Sequence, residues 1–225
     1  MRATSYISIC TILFSLTSFG QLKDRRDKIS YSIGVNIGKS FKQQDMDLNL
    51  DVLFQGLKDA RTGNKLLMGD QEMNDTLVAI RKETQERMAA KSAKEATENK
   101  KVGEDFLAAN KKKDSVVTLP DGLQYKILRE GTGKMPTLED TVTVHYRGYL
   151  MDGTDFDNSY KRGEPATFPL SGVIKGWQEV LQLMKTGSKW QVFIPSDLGY
   201  GERGMGGVIG PNAVLIFDVE LISFK

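Results

Sequence analysis

The sequence predicts an α+β protein in two parts: an all-α front half that leads, through one long helix, into an antiparallel sheet carrying a single short helix. Three observations predict it. Helix formers dominate up to about residue 115. All six prolines fall at Pro120 or later. Alternation of apolar and polar side chains begins only in the second half. With 225 residues, 40% hydrophobic and 27% charged, the composition is that of a soluble chain of one or two ordinary domains. The expected division is residues 1–20 as a signal peptide, 21–115 as a helical domain with its connecting helix, and 116–225 as the β-rich domain.

The first twenty residues stand apart. Arg2 is their only charge, Ile7 to Leu16 form a short apolar run, and Ser18 and Gly20 place small residues three and one positions before Gln21. That is the anatomy of a secretory signal peptide cleaved after Gly20, which predicts export to the periplasm or cell envelope. Attachment to the outer membrane stays open. The alternative is a buried N-terminal helix. The run is too short to span a bilayer, which needs about 20 apolar residues, and no later segment is apolar enough. Cys10 lies inside the signal, behind Ile9, where a lipoprotein cleavage site wants a small residue. The mature chain would carry no thiol, which is compatible with an oxidising compartment. Without Arg2 the 31 basic residues become thirty against 29 acidic ones, so nucleic acid is not an expected partner.

Three helices are predicted next. The first covers about Asp27 to Gln44, with Ile29, Ile33, Ile37 and Phe41 on one face. A second carries Val52, Leu53 and Leu57 and ends near Gly63. The third starts at Asp70 and reaches about Lys112, roughly 60 Å if unbroken. Between Arg81 and Lys101 it holds almost no large apolar residue. Glu83 with Arg87, and Glu98 with Lys101, can pair along its surface. A helix so polar is either a solvated strut or a flexible tether; the strut is favoured, with Gly103 as its weak point. The two short amphipathic helices cannot bury enough apolar area alone. A second copy of the chain is the simplest partner, with Gly34 and Gly38 allowing close approach, so a homodimer is expected. Folding back on the second half is the alternative.

From Leu123 onward short strands alternate with turns. Val142, Val144 and Tyr146 share one face, while Thr141, Thr143 and His145 share the other. Leu215, Phe217, Val219 and Leu221 do the same opposite Asp218 and Glu220. Trp177, Val180, Leu181 and Met184 recur at helical steps, so one helix packs on one sheet face.

Several chemistries can be set aside. Gly34 to Ser40 resembles a phosphate-binding loop, but its leading glycine is one residue too close and it lies within a helical pattern. The glycine-rich stretch Gly201 to Gly210 runs into Pro211 and a strand and reads as a surface loop. One histidine and no mature cysteine leave no metal-ligand spacing, and no metal or other cofactor is expected. His145 would be the sole base of any nucleophilic triad, and it alternates away from Tyr146.

What remains is a set of rings. Tyr146, Phe156, Trp177, Tyr200 and Phe217 come from different strands, loops and one helix start. Such rings are usually core. Asp157, however, directly follows Phe156, and a carboxylate among rings needs a partner, which Tyr146 or Arg162 could supply.

The segments Val144-His-Tyr146-Arg-Gly148, Asp152-Gly153, Phe156-Asp157, Val173-Ile174-Lys-Gly176-Trp177, Ile194-Pro195, Tyr200-Gly201 and Leu215-Ile-Phe217-Asp-Val219-Glu-Leu221 together resemble the FKBP-type, macrolide-binding peptidyl-prolyl cis-trans isomerases over about 105 residues. The spacing from Tyr200 to Phe217 matches without gaps. Tyr31 to Gly38 is similar to the helical dimerisation domain of the macrophage-infectivity-potentiator subgroup. The resemblance implies a half-barrel of antiparallel strands wrapped on one helix. Trp177 would be the floor under a proline ring, with Tyr146, Phe156, Val173, Ile174 and Phe217 as walls. Tyr200 would bond a substrate carbonyl, Asp157 would anchor Tyr146 and Arg162, and Val208 and Ile209 would line a flap. The implied partners are proline-containing unfolded polypeptides and macrolide ligands. Ala166, where other members place a ring, and Met205, where some place a histidine, depart from the pattern. A non-enzymatic alternative is a dimeric chaperone that holds unfolded envelope proteins.

Overall fold

The computed structural model describes residues 22–225. The signal-peptide reading and Cys10 lie outside them. The described chain falls into two compact units, divided between Thr76 and Leu77.

In the first unit, helix α1 spans Arg25–Gln43 and α2 spans Leu50–Thr62. Both start where sequence chemistry dictates. The Asp24 carboxylate accepts the Asp27 N–H at 2.8 Å, and the Asn49 side chain accepts those of Asp51 and Val52. Gly63, in the left-handed region at φ 70°, closes α2. No apolar side chain in residues 22–76 is buried. Ile29 is 49% exposed, Ile33 55% and Phe54 61%. The buried residue here is Asp59, whose carboxylate accepts from Asn64 and Gln55. Those bonds hold it below the ordinary carboxylate range.

Helix α3 runs unbroken over Asp70–Asn110. Its surface is solvated through Glu95, apart from the partly covered Met73, Ile80 and Thr84. Beyond that the expectation of a free strut is corrected: Ala96, Asn99, Gly103, Phe106 and Asn110 turn inward. Gly103 is not a weak point. A Cβ there would sit 2.7 Å from Val214 Cγ2, so glycine lets the helix come close to the β domain. Phe106 meets Phe193 at 5.9 Å, and the buried Asn110 amide donates to Gln124 Oε1 at 2.9 Å. Lys101 pairs with Asp105 rather than Glu98.

In the second unit the described residues form one seven-stranded antiparallel sheet. The strands are β1 (Val116–Thr118), β2 (Gln124–Arg129), β3 (Thr141–Tyr149), β4 (Asp155–Asn158), β5 (Ala166–Pro169), β6 (Lys189–Ile194) and β7 (Leu215–Phe224). Their order is β1-β2-β6-β7-β3-β4, with β5 also paired to β3. A single turn of helix, α4, covers Ser159–Arg162, and α5 covers Lys175–Leu183. Strand β3 alternates as expected: Val142, Val144, Tyr146 and Gly148 are buried, and the residues between are not. Helix α5 lays Trp177, Val180 and Leu181 on this face. Gly176 permits the contact, because a Cβ there would lie 2.6 Å from Ile194 Cγ2. Among the described residues, no helix is long and apolar enough to cross a membrane.

Candidate functional site

A cleft of about 520 Å³ opens between α5 and the concave face of the sheet. That size lies within the range of about 300–1,000 Å³ typical of small-ligand sites. Strand β3 supplies Tyr146, β4 supplies Phe156 and Asp157, and β7 supplies Phe217. The turn into α5 supplies Val173 and Ile174, and the helix itself supplies Trp177. Tyr200 and a small hairpin carrying Met205, Gly206, Val208 and Ile209 complete the rim.

Trp177 is 4% exposed, yet it lines this cavity and is not sealed in the core. Three rings meet it nearly edge-on: Tyr146 at 5.0 Å and 89°, Phe217 at 5.2 Å and 73°, and Phe168 at 6.0 Å and 82°. Its indole N–H is buried with no acceptor among the described residues. Phe156 stands against Phe217 at 5.4 Å and 82°. Gly148 lies behind both, where a Cβ would come within 2.5 Å of Phe156 and 2.8 Å of Phe217. Only glycine at this strand position allows the two walls to meet.

Asp157 is the one charged side chain among the lining residues. It accepts from the Tyr146 hydroxyl and from Arg162 Nη1, and its Oδ1 also accepts the Asn158 backbone N–H at 2.8 Å. Arg162 Nη2 donates to the Tyr146 oxygen at 3.1 Å, closing a triangle, and the guanidinium lies 5.5 Å over the Tyr146 ring. Burial would raise the Asp157 carboxyl, but the bonds from Tyr146 and Arg162 outweigh it and hold the carboxyl below its ordinary value. Burial, reinforced by the bond to Asp157, pushes the Tyr146 hydroxyl up to about 12. Burial and the Asp157 charge raise Tyr200 as well. Asp157 is therefore ionised and both hydroxyls are protonated throughout the neutral range.

Ten of the eleven residues singled out in the sequence line this cleft; Arg162 stands behind it as the partner of Asp157. Met205, which departs from the family pattern, lines it too, and so do Phe168, Gly172 and Gly206, which the sequence did not single out. Phe168 lies two residues beyond Ala166 on β5, on the same side of the strand, and brings a ring to within 6.2 Å of Tyr146. The alternation Ala166-Thr-Phe168 could have found it. His145 lies on the other sheet face, as its register predicts. Its Nδ1 sits 2.9 Å from Ser159 Oγ, and its ring stacks on Tyr160 at 4.6 Å. No group of histidine, cysteine or carboxylate side chains that could hold a metal ion occurs among the described residues.

Residues 132–222 match the family model described as FKBP-type peptidyl-prolyl cis-trans isomerase. Residues 26–127 match the model of the domain amino-terminal to it. The chain is 51% identical to the outer membrane protein MIP of Legionella longbeachae, covering 93% of this chain and 90% of that one. It is 50% identical to the peptidyl-prolyl cis-trans isomerase Mip of Coxiella burnetii, covering 91% and 89%. Among solved structures, FkpA from Escherichia coli superimposes with a TM-score of 0.68 at 38% identity, over 91% of this chain and 99% of that one.

Proposed function

The chain belongs to the FKBP-type peptidyl-prolyl cis-trans isomerases and is an enzyme of that class; from this premise we propose that it speeds the proline-limited folding of exported proteins by desolvating and twisting the X-Pro amide in the ring-lined cleft. Rotation about a peptide bond faces a barrier of about 18–20 kcal/mol, because twisting destroys amide resonance. At X-Pro bonds the uncatalysed step takes on the order of tens to hundreds of seconds. No bond need break, so no nucleophile is required. The planar amide is more charge-separated than the twisted one, so a site that replaces water with ring faces disfavours the ground state relative to the transition state. Lowering the barrier by about 5–6 kcal/mol gives roughly 10⁴-fold acceleration. The observation that carries this reading is the cleft itself. Trp177 and three surrounding rings form its apolar interior, and its single carboxylate is neutralised by two fixed donors.

In this reading Trp177 lies under the proline ring, and Tyr146, Phe156, Val173, Ile174 and Phe217 flank it. Val208 and Ile209 close over it, and the Tyr200 hydroxyl donates to a substrate carbonyl. Asp157 and Arg162 hold Tyr146 in place. Macrolide ligands would occupy the same cleft. The exposed apolar faces of α1 and α2 support a homodimer through the N-terminal helices. The leader-like first twenty residues, and the resemblance to an outer membrane protein, support export to the cell envelope.

The test is the slow phase of a proline-limited refolding reaction. One part of the chain to about a hundred of client should speed that phase at least 10-fold, and a saturating macrolide should abolish the effect. A chain that suppresses aggregation only at stoichiometric amounts, leaving the slow phase unchanged, would be a holding chaperone instead.

A further inference from the structure

The flap over the cleft is built from residues that hold themselves in place poorly. Gly201, Gly204, Gly206 and Gly207 all have positive φ, and ordering such a run costs more backbone entropy than any other sequence would. Within the flap Met205 and Ile209 bond each other at 2.8 and 3.1 Å, and the Gly204 N–H reaches Gly201 O at 3.4 Å. At the base the Asn212 N–H meets Gly201 O at 2.8 Å and the Ala213 N–H meets Gly210 O at 3.4 Å. Met205 and Val208 are half exposed. The base of this segment is gripped from outside by helix α3. Asn99 Nδ2 donates to Pro211 O at 2.9 Å, across 112 residues of sequence, and Asn212 Nδ2 donates back to Ala96 O at 3.2 Å. Glu95 lies so close above Gly210 that a Cβ there would be 2.2 Å from its Oε1. Asn212 is itself in the left-handed region at φ 55°, a conformation asparagine tolerates and most residues do not.

We propose that the Asn99 and Asn212 side-chain amides form a clip through which helix α3 sets the flap over the cleft, making both of them positioning residues for substrate binding. Docking the helix does not require the clip, because Gly103 against Val214 and the Asn110–Gln124 bond already anchor it further along. The two asparagines instead hold the turn from which the hairpin springs. An unclipped flap samples open positions, so substrate is held less well while the ring-lined floor stays intact. The inference rests on the reading of the cleft as the active site.

The experiment uses the full mature chain with Asn99→Ala, Asn99→Asp and Asn212→Gly. Asn99→Asp keeps the shape but cannot donate to a carbonyl, and Asn212→Gly removes the amide without straining the backbone. In each variant, amide hydrogen exchange at Met205 and Ile209 should speed by about 10-fold, with Val219 and Leu221 of β7 unchanged. KM for a proline-containing peptide should rise by roughly 3- to 10-fold with kcat within about 2-fold of the parent. Unaltered flap exchange, equal speeding in β7, or a fall in kcat at constant KM would each overturn the clip. Flap exchange reports the clip whether or not the cleft is the active site, and substitution of Trp177 reports the cleft whether or not the clip exists.

Discussion

Trp177→Ala should cost the enzyme on the order of 100-fold in kcat/KM for prolyl isomerisation, about 2.7 kcal/mol of the 5–6 asked of the cleft. The indole meets the rings of Tyr146, Phe168 and Phe217 and lines the cavity they enclose. Removing it lets water into the floor, and the amide regains the solvation that favours its planar form. The same truncation destabilises the domain by about 3–5 kcal/mol, because it leaves a cavity in a 4% exposed site. Trp177→Leu separates the two effects. It refills part of the volume, so its thermal midpoint should lie above that of the alanine variant, while activity stays at least 10-fold below the parent because the ring face is gone. Parent-like acceleration of the slow refolding phase by either folded variant would remove the cleft as the active site.

Ile33→Asp should turn a dimer into a monomer. Residues 22–76 bury no apolar side chain of their own, and Ile29, Ile33 and Ile37 are exposed on one face of α1. A carboxylate placed in a two-fold interface is buried twice and, unpaired, costs several kcal/mol each time. A dimer with sub-micromolar affinity would then dissociate at micromolar concentrations. Sedimentation of the chain from Gln21 should give the mass of two copies, and the variant the mass of one, at the same thermal midpoint for the β domain. Parent chains that sediment as monomers would refute the assignment of the helical face.

Much of this fold is legible in the sequence because its elements are strongly periodic or chemically capped. The four-residue spacing of Ile29, Ile33, Ile37 and Phe41 places α1 within two residues of its observed ends. Gly63 ends α2 through its left-handed backbone, and the alternation from Val142 to Tyr146 fixes which face of β3 is buried. Those are local signals. Contacts between segments far apart in sequence leave no such trace. Nothing in the polar run from Arg81 to Lys101 marks Asn99 as the partner of a carbonyl in the flap. Gly103 reads locally as a helix breaker and becomes a point of close packing only when Val214 arrives. The cleft sits between these extremes. Its rings stand at recognisable spacings, whereas Phe168, on the four-residue strand β5, carries only the short alternation Ala166-Thr-Phe168 as its signal.

If the rings alone promote rotation and the polar groups of the cleft are fixed supports, no proton moves during the reaction. With Asp157 held below its ordinary range and Tyr146 pushed up to about 12, neither changes state in the neutral range. The decisive measurement is the pH dependence of kcat/KM for a peptide that does not itself titrate. It should be flat within about 2-fold from about pH 5 to 9, both for the parent and for Tyr146→Phe, whose overall rate is lower. A bell-shaped profile, or a limb that disappears with the Tyr146 hydroxyl, would show proton transfer in the rate-limiting step and contradict catalysis by desolvation.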